Sequence, residues 1–209
     1  MQYKKTYKEE LGVSIELTAF APEGKTGEWH AMLHVEPRGE SFAGQYRRIR
    51  QAETCLLESE DMKGFKPEQQ RYLYAPTHLN RTSEYGVSFE RGTLLQFGDR
   101  NHAIISGTAS INNKGEVEHV GDVEMQTRRM WENVETLLAE AGMTMDDAAQ
   151  IIVYLRDGAD YETVSRMFRE KFPQVPTVFT LAPVCRPTWL IEMECIAIRP
   201  AENAGYADF

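Results

Sequence analysis

The sequence predicts an α/β fold in which a ββαβαββ unit follows a shorter ββα unit. Three observations carry this reading. Apolar and polar residues alternate along several short runs, the period of half-buried strands; between them lie segments whose apolar residues recur at helical spacing. Towards the C-terminus the elements come as strand, helix, strand, helix and two closing strands, which favours one mixed sheet with its helices on one face.

Val13 to Phe20 sets Val13, Ile15, Leu17 and Ala19 against Ser14, Glu16 and Thr18, a strand pattern. After a turn marked by Pro22, Gly24 and Gly27, residues Trp29, Ala31, Leu33 and Val35 repeat it over 28–36, and the pair reads as a hairpin. Ser41 can cap a helix carrying Phe42, Tyr46, Ile49, Cys55 and Leu56, which runs to about Glu58. The charged stretch 59–70, with Gly64 and Pro67, marks a loop and a boundary, so residues 1–70 are taken as one unit, 71–200 as a second and 201–209 as a tail. A short strand at 71–75 is weakly signalled.

In the second unit, 88–96 and 102–110 read as strands, followed by a turn at Asn112, Asn113, Lys114 and Gly115. Asp122 can cap a helix on which Val123, Met130, Trp131, Val134, Leu137, Leu138 and Ala141 form one apolar stripe, and Gly142 supplies its stop. Ile151 to Leu155 is a buried-strand run, Asp160 can cap a helix through Phe172, and 175–183 with 189–198 close the unit.

Charge narrows the class of partner. Asp and Glu number 32 against 23 Lys and Arg, a formal net charge of -9, so a phosphate backbone is repelled on average and nucleic acid is not expected as a partner. Arg47, Arg48 and Arg50 lie on the first helix, where a solvated face explains them. No run reaches the ~18 apolar residues of a membrane span, and residues 1–10 lack the apolar stretch of a signal peptide, so no membrane partner and a cytoplasmic location are expected. Cys55, Cys185 and Cys195 lack paired spacing, and His30 and His34 stand about 13 Å apart on a strand, so neither a disulfide framework nor a metal is expected.

Chemistry concentrates near the C-terminal end. Glu192 and Glu194 share a strand face at a spacing of about 6.6 Å, while Ile191, Met193, Cys195 and Ala197 share the other. A carboxylate on a covered strand acquires a raised pKa, as a general acid or water-orienting base requires. Arg186, just ahead of that strand, can bind a carboxylate bidentately, although a surface turn is its plain alternative. Cys185 has no nearby histidine to generate a thiolate and is read as a cleft-lining residue. Ser106 and Gly107 end an apolar run, where the glycine permits close approach to a ligand or simply a bend.

From about Gly86 to Pro200 the order of elements and several motifs resemble the YjgF/RidA superfamily, also called endoribonuclease L-PSP. The motifs are Ile104-Ile105-Ser106-Gly107, the Gly121-Asp122 helix start with Gln126 and Asn133, Ala141-Gly142, Val153-Tyr154-Leu155-Arg156-Asp157 and Ile191 to Ala197. The resemblance implies a chorismate-mutase-like (RidA-like) fold, a homotrimer, ligand clefts between neighbouring subunits and no cofactor. It implies hydrolysis of enamines or imines, with an arginine clamping the substrate carboxylate and a glutamate positioning water. Ser106, Gly107 and Glu192 match that pattern. Phe89 stands where the family usually has tyrosine, Ser165 where it has asparagine, and Pro176-Thr177-Val178 lacks the clamping arginine of the Pro-x-Arg segment.

Other motifs resemble the chorismatase branch, which hydrolyses the enol ether of chorismate: Ser106 to Ile111, His119-Val120-Gly121-Asp122, and Cys185-Arg186 ahead of Glu192. The expected ligand is therefore a small-molecule carboxylate, with Glu192 catalytic and Arg186, Ser106, Gly107, Phe89, Ser165 and Cys185 around it. A hydrolase and a non-catalytic binding protein both remain open at this level, and RNA cleavage is opposed by the charge.

Overall fold

The computed structural model describes residues 2–6, 11–20, 28–58, 69–84 and 89–209. The predicted turn at Pro22, Gly24 and Gly27, the boundary loop at 59–68 and the predicted strand start at Ser88 lie outside these residues. Strands β1 (Gln2–Thr6), β2 (Val13–Phe20) and β3 (Glu28–Val35) form an antiparallel sheet in that order, followed by helix α1 (Phe42–Leu57). The β2–β3 pair is the predicted hairpin, in register from Val13↔Val35 to Phe20↔Glu28. The added strand β1 corrects the ββα reading to βββα. Its sequence QYKKT has no apolar alternation to read, and it is a strand because its backbone pairs with β2 from Gln2↔Thr18 to Thr6↔Ser14. Ser41 caps α1 as predicted, its Oγ accepting the Gly44 N–H at 3.3 Å.

The larger sheet comprises β4 (Gln70–Leu73), β5 (Gly92–Gln96), β6 (Arg100–Ala109), β7 (Ala148–Leu155), β8 (Thr177–Leu181) and β9 (Ile191–Pro200). Its spatial order is β4-β5-β6-β9-β7-β8, antiparallel except where β7 meets β8. That one parallel pair needs a crossover, and α3 (Tyr161–Lys171) supplies it. Helix α2 (Val123–Glu140) makes the other long connection and lies on β6 and β9. The fold is thus mixed α/β, with the predicted ββαβαββ order intact from β5 to β9 and β4 added at the edge.

One core joins sheet and helices. Ala103 and Ile105 of β6, Ile151, Val153 and Leu155 of β7, and Ile191, Met193, Cys195 and Ala197 of β9 pack with Met130, Trp131, Val134, Leu137 and Leu138 of α2 and Val164, Met167 and Phe168 of α3. Each large apolar side chain buried there contributes about 1.5–3 kcal/mol. Trp131 meets Phe168 and Phe172 edge-on, with ring centroids 5.1 and 5.3 Å apart, which fixes α3 against α2.

Asp122 caps α2 through its Oδ1 and the Met125 N–H at 2.9 Å. Gly142, at φ 74°, ends the helix: the Met143 N–H reaches Leu138 O at 2.8 Å and the Gly142 N–H reaches Ala139 O at 3.0 Å. The predicted cap at Asp160 does not form. The chain enters α3 from a 3₁₀ turn at 158–160 that Asp157 caps instead, so Asp160 is already in helical conformation. The tail at 201–209 folds back on the β5–β6 turn: Gly98 N–H bonds to Ala207 O at 2.7 Å, and the Phe209 ring lies 4.9 Å from Phe97 and 5.0 Å from His102.

The segment ahead of β9 has no regular structure and is held by two side chains. Gln126, wholly buried in α2, donates to Thr188 O (2.9 Å) and His119 O (3.2 Å) and accepts the Leu190 N–H (2.9 Å). Arg156, at the end of β7, donates to Trp189 O and Val184 O at 2.6 Å and also to Arg186 O. Leucine at position 126 keeps the volume and removes all three bonds, leaving buried peptide groups unpaired. Gln126→Leu is expected to lower stability by about 3 kcal/mol with an unchanged urea m-value, read from equilibrium urea unfolding.

Candidate functional site

The face of the large sheet opposite α2 and α3 carries Glu192. Its neighbours along β9, Ile191 and Met193, are wholly buried against the helices, so strand alternation turns Glu192 to the opposite face, where it is half-buried. Across the ladder it pairs with Ala109 on β6 and Tyr154 on β7. Between Ile105↔Cys195 and Thr108↔Met193, β6 has one residue more than β9, so Ser106 and Gly107 together stand opposite Glu194. This is a β-bulge.

Gly107 in the bulge is where the Glu192 carboxylate rests. A Cβ added there would lie far inside contact distance of Glu192 Oε1. Only a bare Cα admits the carboxylate at this place. Ser106 is fixed by its Oγ donating to Glu90 O at 2.7 Å and its N–H to Arg91 O at 3.0 Å, and Thr108 Oγ1 donates back to Ser106 O at 2.9 Å. The predicted Ser106, Gly107 and Glu192 therefore come together.

Burial, and then the charge of Glu194, raises the Glu192 pKa above the usual carboxylate range, while Arg91 pulls it partly back. Tyr154 is likewise raised, first by burial and then by the charge of Glu194. Arg91 and Tyr154 are the neighbours of this candidate site that sequence reasoning missed. Tyr154 sits in a quoted family motif and one strand over from Glu192, a signal that pairing β7 with β9 would have exposed.

The remaining predicted residues are spread around this centre. Phe89 is exposed in the segment before β5, which begins at Gly92 and not at residue 88 as predicted, so Phe89 lies outside the strand; the Arg91 guanidinium lies 5.9 Å from its ring. Arg186 donates through Nη1 to Gly115 O at 2.8 Å and stacks on Trp189 at 5.4 Å. Arg91, rather than Arg186, is the cation that acts on the Glu192 carboxyl. Cys185 is exposed in the same segment. Ser165 is wholly buried in α3, its Oγ donating to Glu162 O at 3.3 Å; this puts it on the helix side of the sheet, away from Glu192. Among the described residues no three His, Cys, Asp or Glu side chains converge on a metal-sized site, and no helix is long and apolar enough to cross a membrane.

Residues 96–199 match the family model described as endoribonuclease L-PSP. Over 99 residues the chain is 31% identical to the 3-aminoacrylate deaminase RutC of Acinetobacter baylyi, covering 46% of this chain and 79% of that protein. The chain belongs to the endoribonuclease L-PSP (RidA) family. Solved structures share the fold at lower identity. The Rid-family protein YyfA of Yersinia pestis superposes with a TM-score of 0.52 at 18% identity, over 61% of this chain and 98% of that one. A chorismatase gives 0.55 at 22% identity, over 61% of this chain and 43% of its own. The family match begins within β5, so β1 to β4, α1 and the segment holding Phe89 and Arg91 lie ahead of it.

The raised pKa of Glu192 is a statement about stability as well as chemistry. Below the ordinary glutamate range the side chain is neutral in folded and unfolded chains alike, and it costs nothing. As pH rises through that range towards the folded pKa, the unfolded chain ionises first and the fold is penalised, fully so above the folded pKa. Glu192→Gln is therefore expected to raise Tm by about 1–4 °C at pH 7, with the gain gone below about pH 4, measured by thermal unfolding across pH.

Proposed function

We propose that this RidA-family protein is a cytoplasmic, cofactor-independent hydrolase of a small carboxylate metabolite, an enamine or imine or a chorismate-like enol ether. It acts in clefts between the subunits of a homotrimer. The observation that carries the reading is the half-buried Glu192 carboxylate seated on Gly107 with Glu194 and Tyr154 beside it. A carboxylate with a raised pKa, held on a rigid strand at an open sheet face, is suited to take a proton from water and return it.

With an imine, water oxygen bonds to the imine carbon while Glu192 accepts a water proton. The same proton passes to nitrogen to give a carbinolamine; the hydroxyl proton then moves to nitrogen as the carbon–nitrogen bond breaks and the carbon–oxygen double bond forms, and ammonia leaves a carbonyl product. An enamine first takes a proton at carbon and gives one up from nitrogen to become the imine. The name of the RutC relative, a 3-aminoacrylate deaminase, supports an enamine carboxylate as the substrate class. Arg186 holds the ligand carboxylate in place of the absent family arginine, with Ser106 and Phe89 as flanking contacts and Cys185 at the rim.

The trimer is supported by the same sheet face. Ile104, Val178, Leu181 and Ile198 are exposed there or at its edge, an apolar surface that a subunit interface would cover. A second reading, a non-catalytic binding protein, is favoured by one observation. Val178, in the Pro176-Thr177-Val178 segment where the family carries its arginine, is 59% exposed and offers no charge.

Imines generated in situ from amino acids, and chorismate, are the substrates to try. Glu192→Gln is expected to lose at least about 100-fold in turnover while retaining ligand-induced thermal stabilisation. Binding without turnover in the unaltered protein selects the binding reading. Sedimentation equilibrium is expected to give three times the chain mass; a monomer would remove the inter-subunit cleft.

A further inference from the structure

The bulge that receives Glu192 is held from outside the residues that match the family. Ser106 Oγ donates to Glu90 O at 2.7 Å and the Ser106 N–H to Arg91 O at 3.0 Å, the latter one bond beyond the last β5–β6 pair, Gly92 and Ile105. A bulged strand departs from its ladder, so on this side the bulge is fixed only as well as residues 90 and 91 are. These two lie ahead of β5 in no regular element, and a segment of that kind keeps one conformation through its side-chain partners.

The partners come from α1. Tyr46, Arg50 and Glu53 recur at i, i+4 and i+7, one face of the helix. Tyr46 donates its phenol to Glu90 Oε1 at 2.6 Å, and Arg50 Nη1 lies 3.6 Å from the same oxygen. Glu53 accepts from Tyr72 on β4 and pairs with Arg50, whose guanidinium stands 4.5 Å from the Tyr72 ring. Arg50 therefore belongs to a docked face and not to the solvated one expected of the arginine cluster. The Glu90 side chain is 12% exposed, and a carboxylate so far removed from water needs such partners. Burial and then Glu90 push the Tyr46 phenol up to about 12, so it remains a donor at neutral pH.

We propose that α1 anchors the seat of Glu192: Tyr46, with Arg50, holds the Glu90 carboxylate, and Glu90 through its carbonyl holds Ser106 and with it the notch at Gly107. Tyr46 is a positioning residue. Without it the backbone of residues 90 and 91 drifts, Ser106 loses its two acceptors, and the Glu192 carboxylate loses a fixed place. The inference deepens the proposed role of Glu192 and rests on it for any effect on turnover, but the hold on the bulge is read without substrate.

The test is amide hydrogen exchange of the full chain, followed by NMR. In Tyr46→Phe the Ser106 amide is expected to exchange at least about tenfold faster, while amides of the β7–β9 ladder stay within about twofold of wild type. Glu90→Ala, which keeps the backbone carbonyl and removes the side chain that α1 grips, is expected to do more; Glu90→Gln, which retains an oxygen for the Tyr46 phenol, less. Ser106 exchange within about twofold of wild type in both Tyr46→Phe and Glu90→Ala overturns the proposal, and so does equal acceleration in both ladders, the mark of a global loss of stability. If Glu90→Ala does not fold, Tyr46→Phe decides alone. Where turnover is found, Tyr46→Phe is expected to lower kcat at least about threefold with KM within about twofold, and a wild-type kcat over a loosened Ser106 overturns the positioning role. Selective loosening in a protein that turns nothing over leaves α1 as the anchor and removes the hydrolase reading. Turnover that depends on Glu192, with unaltered Ser106 exchange, removes the anchor alone.

Discussion

A carboxylate pressed against a bare Cα is the contact around which the open face of this protein is arranged. Strand β9 comes last among the strands and lies between β6 and β7, so it must match both ladders at once. It does so by letting β6 carry one extra residue at Ser106–Gly107. A regular ladder would keep its pleat, and a side chain larger than hydrogen would push the carboxylate outward into water. The bulge and the glycine together make a place where a charge is half-dehydrated and still reachable, the condition general acid–base chemistry requires.

The irregular segment between β8 and β9 depends on a different device. Loops lack internal ladders, so their peptide groups need other partners if they are to keep one conformation. Gln126 and Arg156 take that part, one from the helix side and one from the end of β7, and between them bond to Val184, Arg186, Thr188, Trp189 and Leu190. Arg186 and Cys185 are therefore carried on a backbone tied down at both ends. Gln126 and Arg156, each within a quoted motif, belong to this scaffold.

Much of this was legible in the sequence, for reasons that can be named. From β5 to β9 the strands bury one face on helices, so Ile151, Val153 and Leu155, or Ile191, Met193, Cys195 and Ala197, announce themselves by period. Strand β1 was illegible because QYKKT owes its conformation to pairing rather than to a buried apolar face. Glu192, Ser106 and Gly107 were recoverable because a family motif surrounds each. Arg91 was not, since a charged residue at the start of a strand looks solvated until Asn80 is known to enclose it. Ser165 illustrates the opposite error: a matching position in a helix says nothing of which side of the sheet that helix covers.

The three cysteines divide by environment in a way that has a practical use. Cys195 alternates with the acidic pair on β9, faces the core, and its thiol is pushed by burial to about 12, so it has almost no thiolate at neutral pH. Cys185 is exposed on the segment that Gln126 and Arg156 hold, and Cys55 is half-buried on α1. A fluorescent or spin label applied to the native protein would thus bypass the strand bearing the acids and settle on the rim beside Arg186. There it would report motion of the segment before β9 without an engineered attachment point.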